Sequence, residues 1–468
     1  MIKKHHIIVT MVACLFFAQA TINAQEFPIA VGNDSTFSGG AVYGGHNGLV
    51  AIYGDSNSPY TINAQLIGYP GNLIGSRISL NDIGVFPGAI PIFDGTNYFL
   101  VWREFNGTLK GQFIDTAGNL LGFSFSIATN LATSRPGTFN IARGDTVFLV
   151  TFIKSDNHLY GQIISKSGNL IGSQIQISIG SARENAVAFD GSNFLVAWVD
   201  GDNNKDIYGQ FVSKSGTLVG GNFLIDGGPY YSDNPVSLAF DGTKYLLAYH
   251  ETTDDTSYFV KWTLLGKFIS TSGTIDGTIT ICDTTKLPFL PSVAFDGTNY
   301  LITWTQFLDG NMMGRFYNTF GAPIDTPFVI FGPLNNKIPV GGVGFGGGSY
   351  LAVATRCNSE FSDGDVYGRF ITPLVIKDMD NLILRLYLDY TTPYNNSVTI
   401  EYDLPKGCYV TLRIYNILGQ EIATLMSGFS LAGPHTIQWN TSRLSGGLYF
   451  CSLETNSAVV TQKLILPR

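Results

Sequence analysis

Apolar positions in this chain fall in runs of four to eight residues, rich in β-branched and aromatic side chains, each closed by a Gly-containing dipeptide. SVAF, NYLITW, IYGQFVS and LIGSQIQIS are the clearest runs. Bounded by Asp-Gly or Ser-Gly, they predict short β-strands joined by tight hairpins. No repeat shows an apolar period of 3.6, which excludes helical solenoids.

The runs recur in a fixed order. FDGTNYFLVW at 93–102 returns as FDGTNYLITW at 295–304, with FDGSNFLVAW from Phe189 and FDGTKYLLAY from Phe240 between them. YGGHNGLVAI from Tyr43, ARGDTVFLVT from Ala142 and FGGGSYLAVA from Phe345 are worn versions. With the turn glycine as landmark, the series Gly45, Gly95, Gly144, Gly191, Gly242, Gly297 and Gly347 has spacings of 50, 49, 47, 51, 55 and 50 residues. A second signature follows in each repeat, as in YGQIISKSGNLIG from Tyr160 and YGQFVSKSGTLVG from Tyr208. Worn copies start at Lys110, Leu265, Met313 and Tyr367. Each repeat therefore holds four strands, and tandem four-stranded units of this length are propeller blades. The seventh copy stops at Ile371-Thr372-Pro373 without a fourth strand, while QEFPIAVG lies alone before the first copy. Pairing Phe27–Val31 into the last blade closes the ring and leaves no open sheet edge. The fold expected is all-β, a seven-bladed β-propeller followed by a small C-terminal β-sandwich.

Composition narrows the partners. The chain has 468 residues, room for two or more domains, and its 54 glycines suit a fold made of hairpins. A formal net charge of −8 with no basic stripe argues against nucleic acid or an anionic membrane surface as partner. Residues 1–24 read as a signal peptide: MIKKHH is a positive n-region, IIVTMVACLFFA an apolar stretch too short to span a bilayer, and a small-residue cleavage site follows. No later stretch is long and apolar enough to serve as a transmembrane anchor. Cys282, Cys357, Cys408 and Cys451 remain after the leader; their spacings fit no metal motif. Cys408 and Cys451 share one small domain, and either a disulfide or two buried small side chains would suit them.

After Pro373 the repeat ends. Strands separated by Pro-Lys-Gly, Leu-Gly-Gln, Ala-Gly-Pro and Ser-Gly-Gly turns build a β-sandwich of about 80 residues. VTLRIYNILGQEIATL, AGPHTIQWN, LSGGLYFCSLE and the closing TQKLILPR resemble the type A C-terminal sorting domain of the type IX secretion system of Bacteroidota. Where that family opens with Asn-Pro-Phe-Asn-Pro, this chain has Thr392-Pro393-Tyr394-Asn395-Asn396. The resemblance implies a partner, the type IX machinery, and an itinerary through the periplasm to the outer cell surface or the medium. The expected organisation is a signal peptide at 1–24, propeller at 25–373, linker at 374–386 and sorting domain at 387–468. The propeller copies also resemble secreted bacterial repeats with FDGTNYLVVW and DIYGQRVSxxG signatures, a family without a settled activity.

Function must then be read from loops. Hairpins joining first to second and third to fourth strands are short and alike and share one face. The second-to-third and fourth-to-first connections share the other face and vary, which makes that face the expected seat of binding. Candidate ligand contacts there are Glu104, Asp200 and Glu251, at matching positions past the second strand, with Arg183, Glu184 and Asp254 nearby. Tyr230 and Tyr231 add rings with hydroxyl groups, a pairing suited to sugars. Trp102, Trp198 and Trp304 recur at one blade position and read as inter-blade packing; His46, His158 and His250 read as surface residues. DGDNNKD at 200–206 begins like a calcium loop but lacks its later glycine and glutamate. No catalytic triad context, phosphate loop or sialidase Asp-box is present, and nothing calls for a cofactor or a metal. Two functions follow: a binding module for a glycan or a surface protein, or a polysaccharide-degrading enzyme using carboxylates of the variable face.

Overall fold

The computed structural model describes residues 25–31, 37–44, 47–54, 61–83, 85–132, 138–201, 206–227, 236–252, 262–283, 286–334, 338–346, 348–357, 364–372, 383–388, 397–404, 408–431, 433–442, 444–455 and 459–466. Residues 1–24, together with His46, Tyr230, Tyr231 and Asp254, lie outside the described residues. All regular structure among the described residues is strand, apart from turns, and no helix is long and apolar enough to cross a membrane. Two compact units result, Met1–Leu374 and Val375–Arg468.

The first unit is a seven-bladed propeller. Six blades are sequential four-stranded antiparallel sheets, spanning 37–83, 85–128, 139–176, 182–226, 237–283 and 288–331. The seventh takes Ile338–Gly346, Ser349–Cys357 and Gly364–Ile371 and is completed by Phe27–Ala30, paired antiparallel with Gly364–Ile371. First strands of neighbouring blades touch around the whole circle, and the seventh touches the first. Seven hydrophobic clusters fill the seven interfaces between blades. Burial therefore comes from the ring rather than from any blade alone, as in other stacked repeats.

Each signature has a structural cause. In FDGTNY the aspartate caps its own turn: Asp94, Asp190, Asp241 and Asp296 each accept two backbone N–H bonds through Oδ1. The tyrosine reaches back to the turn of the preceding blade. Tyr98 Oη lies 2.5 Å from the Asn47 carbonyl, and Tyr350 Oη donates to the Asn299 carbonyl at 3.1 Å. Burial raises the pKa of Tyr98, Tyr245, Tyr300 and Tyr350 well above the ordinary tyrosine value, so these hydroxyls stay protonated donors. The glycine before the glutamine position of the second signature is needed for space. A Cβ on Gly111, Gly209 or Gly314 would come within 2.6, 2.6 and 2.9 Å of a packed side chain. Gln65, Gln112, Gln162 and Gln210 follow, each donating its amide across to a fourth-strand carbonyl at 3.0–3.1 Å, where the register slips by a bulge.

One landmark shifts. The turn N–H of Gly144 donates to Val147, as that of Asp94 does to Asn97, so Gly144 occupies the aspartate position and Asp145 the glycine position. Gly95, Gly191, Gly242 and Gly297 keep φ between 94° and 100°, where L side chains are strained. Trp102, Trp198 and Trp304 are buried at blade interfaces, as expected. His250, expected at the surface, is instead only 4 % exposed, with its ring 5.3 Å from that of Trp262.

The second unit is a sandwich of two sheets. One holds Ile383–Leu388, Ser397–Leu404 and Gly433–Asn440; the other holds Glu421–Ser430, Cys408–Asn416, Gly447–Thr455 and Val459–Leu466. Val398, Ile400 and Trp439 from the first pack with Leu412, Ile414 and Leu453 from the second. Its first strand begins at Ile383, inside the stretch expected as linker. Cys408 pairs across the sheet with Ser430 and Cys451 with Ile414, and the two form no disulfide. Burial pushes the Cys451 thiol up to about 12, consistent with an inert core side chain.

Candidate functional site

Strand alternation fixes what the variable face receives. Two residues beyond the inter-blade position, which is Ile52, Trp102, Phe152, Trp198, Tyr249, Trp304 and Ala354 in blades one to seven, stand Gly54, Glu104, Lys154, Asp200, Glu251, Gln306 and Arg356. Three of the seven are acidic and two are basic, so the blade register does not produce a carboxylate ring. Glu104, Lys154 and Arg356 are instead engaged close by, with Lys110, the Tyr160 ring and Glu26.

Glu104 ends the second strand of blade two. Its Oε1 is 2.8 Å from Lys110 Nζ and its Oε2 accepts from Asn106 Nδ2 at 3.1 Å. In blade four, Asp200 pairs across the sheet with Ala182, next to Arg183 and Glu184. Arg183 Nη2 donates to the Gly201 carbonyl at 3.3 Å, joining the two variable connections of that blade. The structure thus brings Arg183, Glu184 and Asp200 together, and places Glu104 and Glu251 in other blades.

Glu251 belongs to a cluster between blades four and five. Asp226, the last residue of blade four, accepts from Tyr249 Oη at 2.5 Å and pairs with Lys267 Nζ at 3.0 Å. Burial first, then the nearby Asp226 charge, raises the pKa of Glu251, and Lys267 opposes them. Desolvation and like charge both favour the protonated acid. Asp226 and Lys267 escape a reading along the chain because they come from different blades. The one advance hint is that Lys267 replaces the signature glutamine.

Between blades five and six the same face carries rings. Trp262, Phe289 and Phe307 meet pairwise, with centroids 5.9, 6.1 and 6.4 Å apart and planes 58–68° to each other. Phe289 sits in the KLPFLP connection between Leu287 and Leu290, whose φ values are 54° and 52°. Left-handed backbone at a leucine costs about 1–3 kcal/mol and is held only where surrounding structure enforces it. The other described non-glycine residues at positive φ are Asn130 and Asn157, which tolerate that region. A register slip between Phe289 and Ser292 completes the distortion. KLPFLP is visible in the sequence as an apolar connection on a polar face, the signal that could have marked it.

Residues 390–467 match the family model of the secretion system C-terminal sorting domain. No curated protein is similar in sequence. Among solved structures, the BP39L lectin from Burkholderia pseudomallei is similar at 12% identity, covering 73% of this chain and 96% of its own, with a TM-score of 0.55. The β-propeller domain of the Trilobed protease from Pyrococcus furiosus covers 72% of this chain and 95% of its own at 10% identity, TM-score 0.44. The polysaccharide lyase Uly1 covers 76% and 94% at 11% identity, TM-score 0.45. These likenesses concern the fold. The C-terminal unit is a type IX sorting domain, and the protein is exported to the cell surface or secreted.

Proposed function

We propose that the exported chain is a binding propeller that takes a glycan on the face built from the second-to-third and fourth-to-first connections. The observation that supports this reading most is the division of that face: the charges of blades two, four and five are tied to neighbours, as in Glu104 with Lys110 and Asp226 with Lys267, while blades five and six offer ring surface. Paired charges make a poor catalytic constellation; rings beside polar groups suit sugars. The propeller is also a fold that a lectin uses. Delivery by the type IX machinery would place the face where extracellular glycans are met. A glycan array probed with the purified chain tests the reading: specific retention of a glycan is expected, and the absence of any glycan ligand overturns it.

One observation favours an enzyme instead. Glu251, protonated more readily than usual beside the Asp226 carboxylate, has the character of a general acid next to a second acid. Hydrolysis of a polysaccharide by the chain, abolished in Glu251→Gln, would replace the binding module with a glycosidase.

A further inference from the structure

We infer that the sugar-binding subsite of this face is the ring patch of Trp262, Phe289 and Phe307, and that it takes the apolar face of a neutral pyranose unit. The inference rests on the glycan-binding reading above and adds the place and the ligand class.

Three features single out the patch. The rings come from three separate segments of two blades and still contact one another pairwise, so they form one surface. That surface reaches solvent: Phe307 is 43 % and Leu308 63 % exposed. Trp102, Trp198, Trp304 and Trp439 are all buried, which leaves Trp262 as the one tryptophan of five with appreciable access to water. Finally, the backbone that delivers Phe289 holds two left-handed leucines around it, and strain of this kind clusters at ligand contacts.

The patch is held rigidly. The Phe307 N–H donates to the Leu287 carbonyl at 3.1 Å and the Leu308 N–H to the Lys286 carbonyl at 3.2 Å, which zips the two variable connections of blade six together. Lys286 Nζ lies 2.6 Å from Asp309 Oδ2. The Gln306 amide, its nitrogen as donor, lies 2.9 and 3.1 Å from the two Asp309 oxygens. A site that needs no ordering on binding loses little entropy to its ligand.

Charge and size choose the ligand. Lys286 and Asp309 neutralise each other beside the rings, so the patch selects neither an anion nor a cation. Three rings and one leucine are far below the roughly 20–30 residues per side of a stable protein interface. They match the footprint of a sugar ring, whose axial C–H groups lie on aromatic faces while its hydroxyls turn to polar neighbours.

The test titrates the purified chain with neutral glucose, xylose and mannose oligomers and with an acidic oligogalacturonate, read by calorimetry and tryptophan emission. A neutral oligomer should bind with a change in emission that disappears in Trp262→Phe. Phe307→Ala should weaken binding at least tenfold while the melting temperature holds, since that ring is half exposed. Neutral-oligomer binding that leaves emission unchanged and survives Phe307→Ala would overturn the subsite but keep the glycan-binding reading. Binding of the acidic oligomer alone would overturn the ligand class. If the array and these oligomers all fail to bind, the reading and the subsite fall together.

Discussion

Phe27, the first residue of the strand Phe27–Ala30, lies directly opposite Gly368 in the last strand of the propeller. The same pairing recurs in blades two to six: Phe125 opposite Gly111, Ile175 opposite Gly161, Phe223 opposite Gly209, Ile279 opposite Gly266 and Phe328 opposite Gly314. An aromatic or branched side chain from the fourth strand covers the bare backbone of the third, and a Cβ on Gly368 would stand 2.5 Å from the Phe27 ring. The N-terminal strand therefore does for blade seven what a local fourth strand does elsewhere. Phe27→Ala should cost about 2 kcal/mol, somewhat less than a fully buried phenylalanine. Deleting residues 25–31 should lower the melting temperature far more, by opening a sheet edge. Equal melting temperatures for the deletion and the parent chain would rule out closure by this strand.

The same seam carries an ion pair. Arg356 reaches Glu26 with both terminal nitrogens, Nη2 at 2.8 Å from Oε2, and donates through Nε to the Gly332 carbonyl at 3.0 Å. Its side chain is only 6 % exposed, so Glu26→Gln would leave a desolvated cation short of its partner. The expected loss is about 2 kcal/mol in chemical denaturation. It should shrink sharply when measured on an Arg356→Met background, and independence of the two changes would show that the pair does not act as a unit.

Blade-to-blade tyrosines make a prediction at high pH. A phenol whose folded pKa lies above its unfolded value of about 10 contributes stability below that value and loses it as pH rises past it. Tyr98, Tyr245, Tyr300 and Tyr350 are all raised by burial. Tyrosinate absorbance in strong alkali should therefore rise together with loss of the β-sheet signal, and Tyr350→Phe should cost about 1 kcal/mol at neutral pH. Smooth titration of these tyrosines in the folded protein would contradict the arrangement.

Asp325 makes a prediction of the same sign at lower pH. It is fully buried in blade six; Oδ1 accepts the Phe316 N–H at 2.8 Å, and Oδ2 has no hydrogen-bond partner among the described residues. Burial pushes its pKa up to about 6, against the Phe316 N–H and Arg315. An acid raised in the folded state costs stability once ionised: the penalty is absent below the unfolded value near 3.8 and develops as pH rises through about 6. Asp325→Asn should thus stabilise the chain by about 2 kcal/mol at pH 7.5, with the gain fading toward pH 4. A gain independent of pH would assign the effect to packing.

Removing residues 375–468 should leave a folded propeller trapped in the periplasm, since none of the seven inter-blade clusters draws on the second unit. Fractionation checks this; release of the truncated propeller to the medium would remove the sorting domain from the export route.

What could be read along the chain was what is local. The Asp-Gly turns, the buried tryptophans and the missing fourth strand all follow from residues within one repeat, and each appears in the fold. Gly144 misled because glycine and aspartate exchange places in one worn turn, a swap that leaves the composition unchanged. His250 misled because the ring that covers it, Trp262, arrives from the next strand. The partners of Glu251 come from another blade and from an altered signature position, and the strain at Leu287 and Leu290 has no compositional mark. Contacts between blades are set by the ring, which a linear pattern does not contain.

The closure seam also imposes an order in time. Phe27–Ala30 is made before any blade and finds its partner only when Gly364–Ile371 is present, with nearly the whole propeller between them. Joining ends so far apart adds little to the equilibrium cost, because loop entropy grows only logarithmically, but it makes this contact late. Until then blade seven offers a bare strand edge to any extended peptide. Whatever is fused ahead of residue 25 is fused to the latch of the ring, and a bulky group there acts on closure before it acts on anything the closed propeller does.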